Sequence, residues 1–234
     1  MNRKYLFVLT AIMLMVFSTG CASRRTNVVP PNSLAGAWEL VPSPESNFPL
    51  LSRKYLSDSH FVVVRFTHDG AISAAHGGTY TFSNGRHVEN VLFSTAHNMI
   101  NTTSTFTVDY SNGMKTISGT FGNGIEITEV WRRTSSSTSA LSGIWHGSGG
   151  SENWKIISNT EFITFTANEQ GRITLLTGGI YVWDAESIIE HIDFSFWPGI
   201  AFTRSTFAYE LTDNSLTLRG LWENVERELF SLAH

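Results

Sequence analysis

Two glutamates stand in runs of alternating apolar residues, Glu89 in "HVENVLF" and Glu190 in "IIEHIDF", 101 positions apart. A carboxylate on an apolar face must be paired, hydrogen-bonded or protonated, because a bare charge in a low-dielectric interior costs several kcal/mol. The polar groups that recur with it are Lys54 and Lys155, Tyr80 and Tyr181, and Glu129 and Glu228. Three chemistries are open to such a set. A hydrogen bond from Tyr80 or Tyr181 is the simplest way to satisfy each acid internally and would make it structural. A polar group within a largely apolar cavity would instead orient one end of a ligand. Two carboxylates per unit, Glu89 with Glu129 and Glu190 with Glu228, would act as acid and base on a glycosidic bond if they stood about 5–9.5 Å apart.

Other chemistry has little to build on. The chain has no nucleophile elbow and no phosphate-binding glycine loop. Its single cysteine, Cys21, excludes an intramolecular disulfide. Of the eight histidines, His60, His68 and His76 are evenly spaced, but the second half places Glu161, Glu169 and Thr177 there, and a spacing of eight is no ligand signature. They read as surface histidines, and neither a metal nor a cofactor is expected. With 20 acidic against 16 basic side chains and no basic run, nucleic acid is not an expected partner. The chain reads as a non-enzyme.

The elements that position these residues come in duplicate. "LAGAWEL" from Leu34 returns as "LSGIWHG" from Leu141 at an offset of 107; from Lys54/Lys155 onward the offset is 101, and near the end, at Glu129/Glu228, it is 99. Changes of offset confined to loops indicate duplication of a folding unit of about 95–100 residues, an ordinary domain size. Inside each unit the hydrophobic period is two. Ile188, Glu190, Ile192 and Phe194 share one face, as do Glu89, Val91 and Phe93; Phe106, Val108 and Tyr110 lead through "SNG" to Ile117, Gly119 and Phe121. No amphipathic helix is evident. Each unit is therefore an all-β meander of seven to eight strands, and closure into a barrel removes its edges. The pairs Gly77-Gly78 and Gly178-Gly179 fit the bulge that such curling needs, and a two-sheet sandwich, the alternative to the barrel, would use the same devices. The aromatics Trp38, Tyr80, Phe82, Phe106, Trp131, Trp145, Tyr181, Trp183, Phe194 and Phe207 are expected mostly in the cores.

The N-terminus is a different kind of segment. Arg3 and Lys4 precede an apolar run from Tyr5 to Phe17, too short to span a bilayer and suited to a secretory signal. The following "STGC" resembles the lipobox of Gram-negative lipoproteins, with Ser18 in place of the usual leucine; the resemblance implies cleavage after residue 20 and acylation of Cys21. Residues 21–33, polar and with two prolines, read as a tether. The expected organisation is a signal peptide over 1–20, the tether over 21–33, barrel units over 34–133 and 141–234, and a flexible linker over 134–140. "ASRR" after Cys21 lacks an acidic run, which favours attachment to the outer membrane facing the periplasm; the cell surface is the alternative.

The opening of each unit, Gly36-x-Trp38 and Gly143-x-Trp145, resembles the Gly-x-Trp motif of lipocalins. The blocks "KYLSDSHF", "GGTY", Glu89 and "EVWRR", with "KIISNTEF", "GGIY", Glu190 and "ELFSL" in the second unit, resemble the lipocalin-like domains of unknown function carried by Gram-negative lipoproteins. The resemblance implies two tandem barrels and binding of a small apolar or amphipathic molecule. It also implies that an arginine, Arg132 or Arg133, covers Trp38. Ser231 and Leu232 stand at the equivalent place in the second unit, so a looser closure over Trp145 is expected. One alternative is an interaction module with filled barrels that offers its outer surface to a protein or glycan, in which case Trp183, Phe196 and Trp197 would lie outside. A carbohydrate-active enzyme is the other.

Overall fold

A computed structural model describes residues 34–43, 50–147, 152–197, 199–220 and 227–233; the signal, Cys21 and the tether lie outside them. The described chain forms two closed eight-stranded antiparallel barrels in tandem, each ordered as a simple meander. The first comprises β1 (Gly36–Leu40), β2 (Leu51–Leu56), β3 (His60–Phe66), β4 (Ile72–Ser83), β5 (Arg86–Ser94), β6 (Thr103–Ser111), β7 (Met114–Thr120) and β8 (Glu126–Ser136). The second comprises β9 (Gly143–Gly147), β10 (Glu152–Ile157), β11 (Glu161–Ala167), β12 (Ile173–Trp183), β13 (Ser187–Ser195), β14 (Arg204–Leu211), β15 (Ser215–Gly220) and β16 (Arg227–Leu232). β1 closes on β8 and β9 on β16, so every strand of each barrel is paired on both sides within 36–232. A chain starting at residue 22 therefore retains every described strand. Among the described residues no helix is long and apolar enough to cross a membrane.

Local chemistry sets the meander. The β4–β5 and β6–β7 hairpins turn on Asn84-Gly85 and Asn112-Gly113, with φ of 50° and 72°, and 53° and 74°. Two successive positive φ values make the turn whose twist matches the strands, and Asn-Gly adopts it most cheaply. The Gly-Gly pairs sit at register shifts, where Gly77 faces Phe93 and Gly78 faces Val91, and Gly178 faces Phe194 and Gly179 faces Ile192. Leu92 and Asp193 are the extra residues. One extra residue reverses the alternation of faces. Glu89 and Val91 therefore point into the barrel while Phe93 points out, and Phe194 is likewise turned away from Glu190, Ile188 and Ile192. This corrects the single shared face read from the alternation. Gly77 lacks a side chain because the Phe93 ring lies across it, where an added methyl would meet that ring and the Phe61 carbonyl oxygen. Gly77→Ala is expected to lower stability by about 1–3 kcal/mol, the usual penalty of overpacking; an unchanged denaturation midpoint would contradict this packing.

The outward Phe93 and Phe194 build a joint between the barrels. One apolar cluster contains Tyr55, Val62, Val64, Phe66 and Phe93 from the first barrel together with Ile156, Ile163, Phe165, Ala167 and Phe194 from the second. Phe66 stacks on Phe194 at 4.5 Å and Phe93 on Phe165 at 4.4 Å. Ser195 N–H donates to Gly70 O at 3.0 Å and Ser94 N–H to Gly171 O at 2.9 Å. Because 70/171 and 94/195 are repeat equivalents, the joint has a pseudo-two-fold relation. Volumes are exchanged across it: Val64 corresponds to Phe165 and Phe66 to Ala167, so each barrel supplies one large ring where the other is small. Polar contacts break the symmetry. Arg53 binds Asp193 at 2.7 Å and lies 3.6 Å from Glu161, whereas the equivalent place holds His60 against Trp154 at 5.5 Å. The segment expected as a flexible linker is partly strand, since β8 runs to Ser136 and Ser135 Oγ accepts from Thr160 N–H at 2.9 Å.

Candidate functional site

Both recurrent acids are inside. Glu89 is 1 % exposed and Glu190 5 %. Their partners are the recurrent lysines rather than the tyrosines: Lys54 Nζ binds Glu89 Oε1, and Lys155 Nζ lies 2.6 Å from Glu190 Oε1. Tyr80 donates instead to Ser57 O at 2.6 Å and Tyr181 to Ser158 O at 2.8 Å, pinning the β2–β3 and β10–β11 turns. The tyrosines are thus structural. Beyond this shared pair the interiors diverge, although the backbone plan is the same.

Among the described residues the second interior is almost entirely apolar around its pair. Lys155 donates to Thr164 Oγ1 at 2.9 Å and lies over Phe162 at 4.6 Å, and Ile188, Leu216, Leu218 and Phe230 fill the remainder. The first interior is charged at the same positions. His87 replaces Ile188 and places Nε2 3.1 Å from Glu89 Oε1. Arg65 replaces Thr166 and lies 3.7 Å from Glu129, whose other oxygen accepts from Trp131 Nε1 at 3.1 Å. His76 replaces Thr177, edge-on to Phe61 and Phe121. Lys115 replaces Leu216; its fully buried amine lies 4.1 Å from the Trp38 ring centre and has no hydrogen-bond partner among the described residues. Arg133 lies over the same ring at 4.5 Å, as the resemblance implied. Four basic side chains, Lys54, Arg65, Lys115 and Arg133, thus stand with two carboxylates, Glu89 and Glu129.

Lys54, Arg65, His76, Glu89 and Glu129 line one cavity of about 10 Å³ together with Phe106, Phe121 and Trp131. That volume admits roughly one water molecule. It brings together one of the carboxylate pairs weighed for glycosidic chemistry, but no sugar ring fits between them. Glu228 lies on β16 opposite Leu218, and its side chain falls outside the described residues. Phe121 lines the cavity, and with Met99 and Ile127 it is half-buried against the core of this barrel. A larger hollow of about 360 Å³ lies on the outer face of β5–β7, bounded by Arg86, Thr105, Thr107, Ser118 and Thr120.

Electrostatics follow from burial. Desolvation alone would raise the Glu89 carboxyl, but Lys54 and His87 outweigh it and hold it well below the usual range. Burial, aided by Lys54 and Arg65, pushes His76 down to about 4, and burial lowers His87 and, strongly, Lys115. A group with a lowered pKa binds fewer protons folded than unfolded, so its stabilisation is complete above the unfolded pKa and is lost as pH falls. His76 and His87 act below about 6.5 and Glu89 below about 4.5. Glu161, raised by burial at the joint, has the opposite sign, but it stands against His76, His87 and Glu89, joined by His60, which burial also lowers. Stability should fall below pH 6.5, by up to about 3 kcal/mol through His76 alone as pH approaches 4. In the variant His76→Thr/His87→Ile, which copies the second barrel, the midpoint should shift less between pH 7 and 5; equal shifts in both proteins would refute the assignment.

Several readings need correction. His60 packs on Trp154 in the joint and His76 sits inside the barrel, so only His68 of the three is an exposed histidine. Trp145 is 2 % exposed against 0 % for Trp38, and both indoles donate to the carbonyl four residues earlier at 2.9 Å. The Trp145 indole is therefore covered as fully, with Leu216 and Leu232 in place of the two cations, while β9 pairs with β16 over three residues where β1 pairs with β8 over five. Trp183 is exposed and packs on Tyr209, whereas Phe196 is half-buried at the joint. His87, Arg65 and Lys115 went unrecognised in the sequence; aligning the two copies at Ile188, Thr166 and Leu216 carries the signal. Among the described residues no group of three or more His, Cys, Asp or Glu side chains could hold a metal. Comparison of the chain with protein-family models, characterised proteins and solved structures gives no match.

Proposed function

We propose that the chain is an exported, acyl-anchored, non-enzymatic binding protein of lipocalin-like build, whose first barrel takes the anionic end of a small amphipathic molecule at its rim. The carrying observation is the contrast between two copies of one fold. Among its described residues the second barrel surrounds the Lys155–Glu190 pair with apolar side chains, so the fold does not require Arg65, His76, His87 or Lys115. Buried cations cost stability, and their concentration in one copy points to use rather than architecture. Arg65, about half exposed, meets the anionic group at the rim with Lys54 below it. Met99, Phe121 and Ile127 receive the apolar part, and the small enclosed volume keeps the tail outside the barrel. The membrane anchor is Cys21 in "STGC", on an outer membrane and facing the periplasm.

Calorimetric titration of the chain from residue 22 with alkyl carboxylates, and with alkylammonium of equal length as control, tests the ligand. Carboxylates should bind and ammonium should not, and Arg65→Thr should weaken binding about tenfold or more, the worth of one charged hydrogen bond. Equal binding of both, or of neither, removes the proposal. Acyl labelling of the full chain that persists in Cys21→Ser would remove the anchor.

A second reading, an interaction module with filled barrels, is favoured by one observation. The first barrel's interior cavity is far smaller than the outer hydroxyl-lined hollow at Arg86, about 10 Å³ against 360 Å³. Glycan or protein binding lost in Arg86→Ala but kept in Arg65→Thr would select it.

A further inference from the structure

The β13–β14 corner of the second barrel repeats the β5–β6 corner of the first, hydrogen bond by hydrogen bond. Asn101 N–H donates to Val91 O at 2.8 Å, and Phe202 N–H to Ile192 O at 2.6 Å. Thr102 Oγ1 donates to Met99 O at 2.6 Å, and Thr203 Oγ1 to Ile200 O at 2.6 Å. Ala96 N–H and Trp197 N–H donate to Ser94 Oγ and Ser195 Oγ at 3.0 and 3.1 Å. Among the described residues these backbone contacts are held; the side chains are not. "AHNMINT" in the first copy is replaced by "WPGIAFT" in the second.

Position 101/202 is left-handed in both copies, with φ of 64° at Asn101 and 65° at Phe202. Asparagine tolerates this region and a bulky aromatic does not. The fold is therefore served by asparagine, and phenylalanine adds strain. Packing does not offset it, since Phe202 is 69 % exposed and Trp197 59 %. Backbone strain retained together with two large apolar side chains in water indicates a surface covered in use.

We propose that this corner is a membrane-contacting tip that seats Trp197 and Phe202 in the interfacial layer of a phospholipid bilayer. The stretch from Phe196 to Thr203 contains no acidic side chain, and exposed Arg204 stands at its base to meet lipid phosphate. Tryptophan with a neighbouring cation is the pairing that such interfaces favour. Acylation of Cys21, part of the proposed function, would hold the tip near a bilayer through a tether reaching at most about 47 Å, but the tip's own affinity does not depend on it.

The chain from residue 22, which lacks the cysteine, is sedimented with vesicles of equal parts phosphatidylethanolamine and phosphatidylglycerol. The wild-type chain should sediment with a blue-shifted tryptophan emission. Trp197→Ala/Phe202→Asn, which restores the side chains of the first copy, should partition about tenfold less or weaker and should melt at an equal or higher temperature. Wild-type chain left in the supernatant, or a variant that partitions equally, overturns the proposal. So does a variant that melts lower, which would make the rings structural, or a concentration-dependent dimer that only the wild type forms, which would make a second copy the occupant. Loss of acyl labelling at Cys21 with sedimentation intact would overturn the anchor alone.

Discussion

Lys54→Met should lower the stability of the protein by about 3–5 kcal/mol, the penalty for stripping the counter-charge from a buried ion. Lys54 and Glu89 are each 2 % exposed at the side chain and bind one another, so the variant leaves a carboxylate in an apolar barrel with only His87, 3.1 Å away. Glu89 must then take up a proton or draw one onto His87. Both routes make the variant relatively less unstable as pH falls, opposite to the acid sensitivity of the wild-type chain. Lys54→Met/Glu89→Gln should recover most of the loss, with a coupling of about 2 kcal/mol or more in the double-mutant cycle. Urea denaturation of the four proteins measures it. A single-variant loss under about 1 kcal/mol would mean that Glu89 reaches water, and the polar interior would have to be redrawn.

The opposite sign is expected one strand pair away. Lys115→Leu should raise stability at pH 7 by about 1–3 kcal/mol, since it removes a buried amine without a hydrogen-bond acceptor and installs the residue the second barrel carries at Leu216. The Trp38 ring face, 4.1 Å from the amine, works against the gain by about 2 kcal/mol when the amine is charged and desolvated. Desolvation prevails because Arg133 shares that ring and Lys54 adds like charge. The pH dependence is diagnostic. Folding holds the Lys115 pKa well below 10.5, so the unfolded wild-type chain binds a proton that the folded chain refuses. Wild-type stability therefore rises as pH climbs toward 10.5, and the advantage of the leucine variant should narrow over that range. A leucine variant that is less stable at pH 7, or an advantage constant to pH 10, would show that the amine is accommodated. A gain in stability accompanied by loss of alkyl carboxylate binding would connect the cost to the proposed use.

Period-two patterning, Asn-Gly turns and an interrupted self-match contain the two eight-stranded barrels, because alternation and turn chemistry are local properties that each copy states independently. The burial of Glu89 and Glu190 follows from the same face logic, whereas an arginine over Trp38 was an implication of the lipocalin resemblance alone. The partners of the acids do not. Tyr80 and Lys54 are equally admissible along the chain, and only the closure of β1 and β2 onto the remaining strands places the lysine amine, rather than the phenol, at the carboxylate. The bulges at Leu92 and Asp193 had a larger effect. One extra residue in each strand turned Phe93 and Phe194 outward, converting two expected core aromatics into the joint between barrels. Whether the copies pack together was likewise beyond the sequence, since the pairing of Phe66 with Phe194 and Phe93 with Phe165 joins positions over seventy residues apart that no periodicity relates. Residue types and their alternation thus determined that each barrel buries an apolar face with its recurrent acid, as far as the bulge. What each buried group meets was decided by strand register and barrel closure, because a side chain's neighbours across a sheet or an interface are set by three-dimensional pairing and not by its place along the chain.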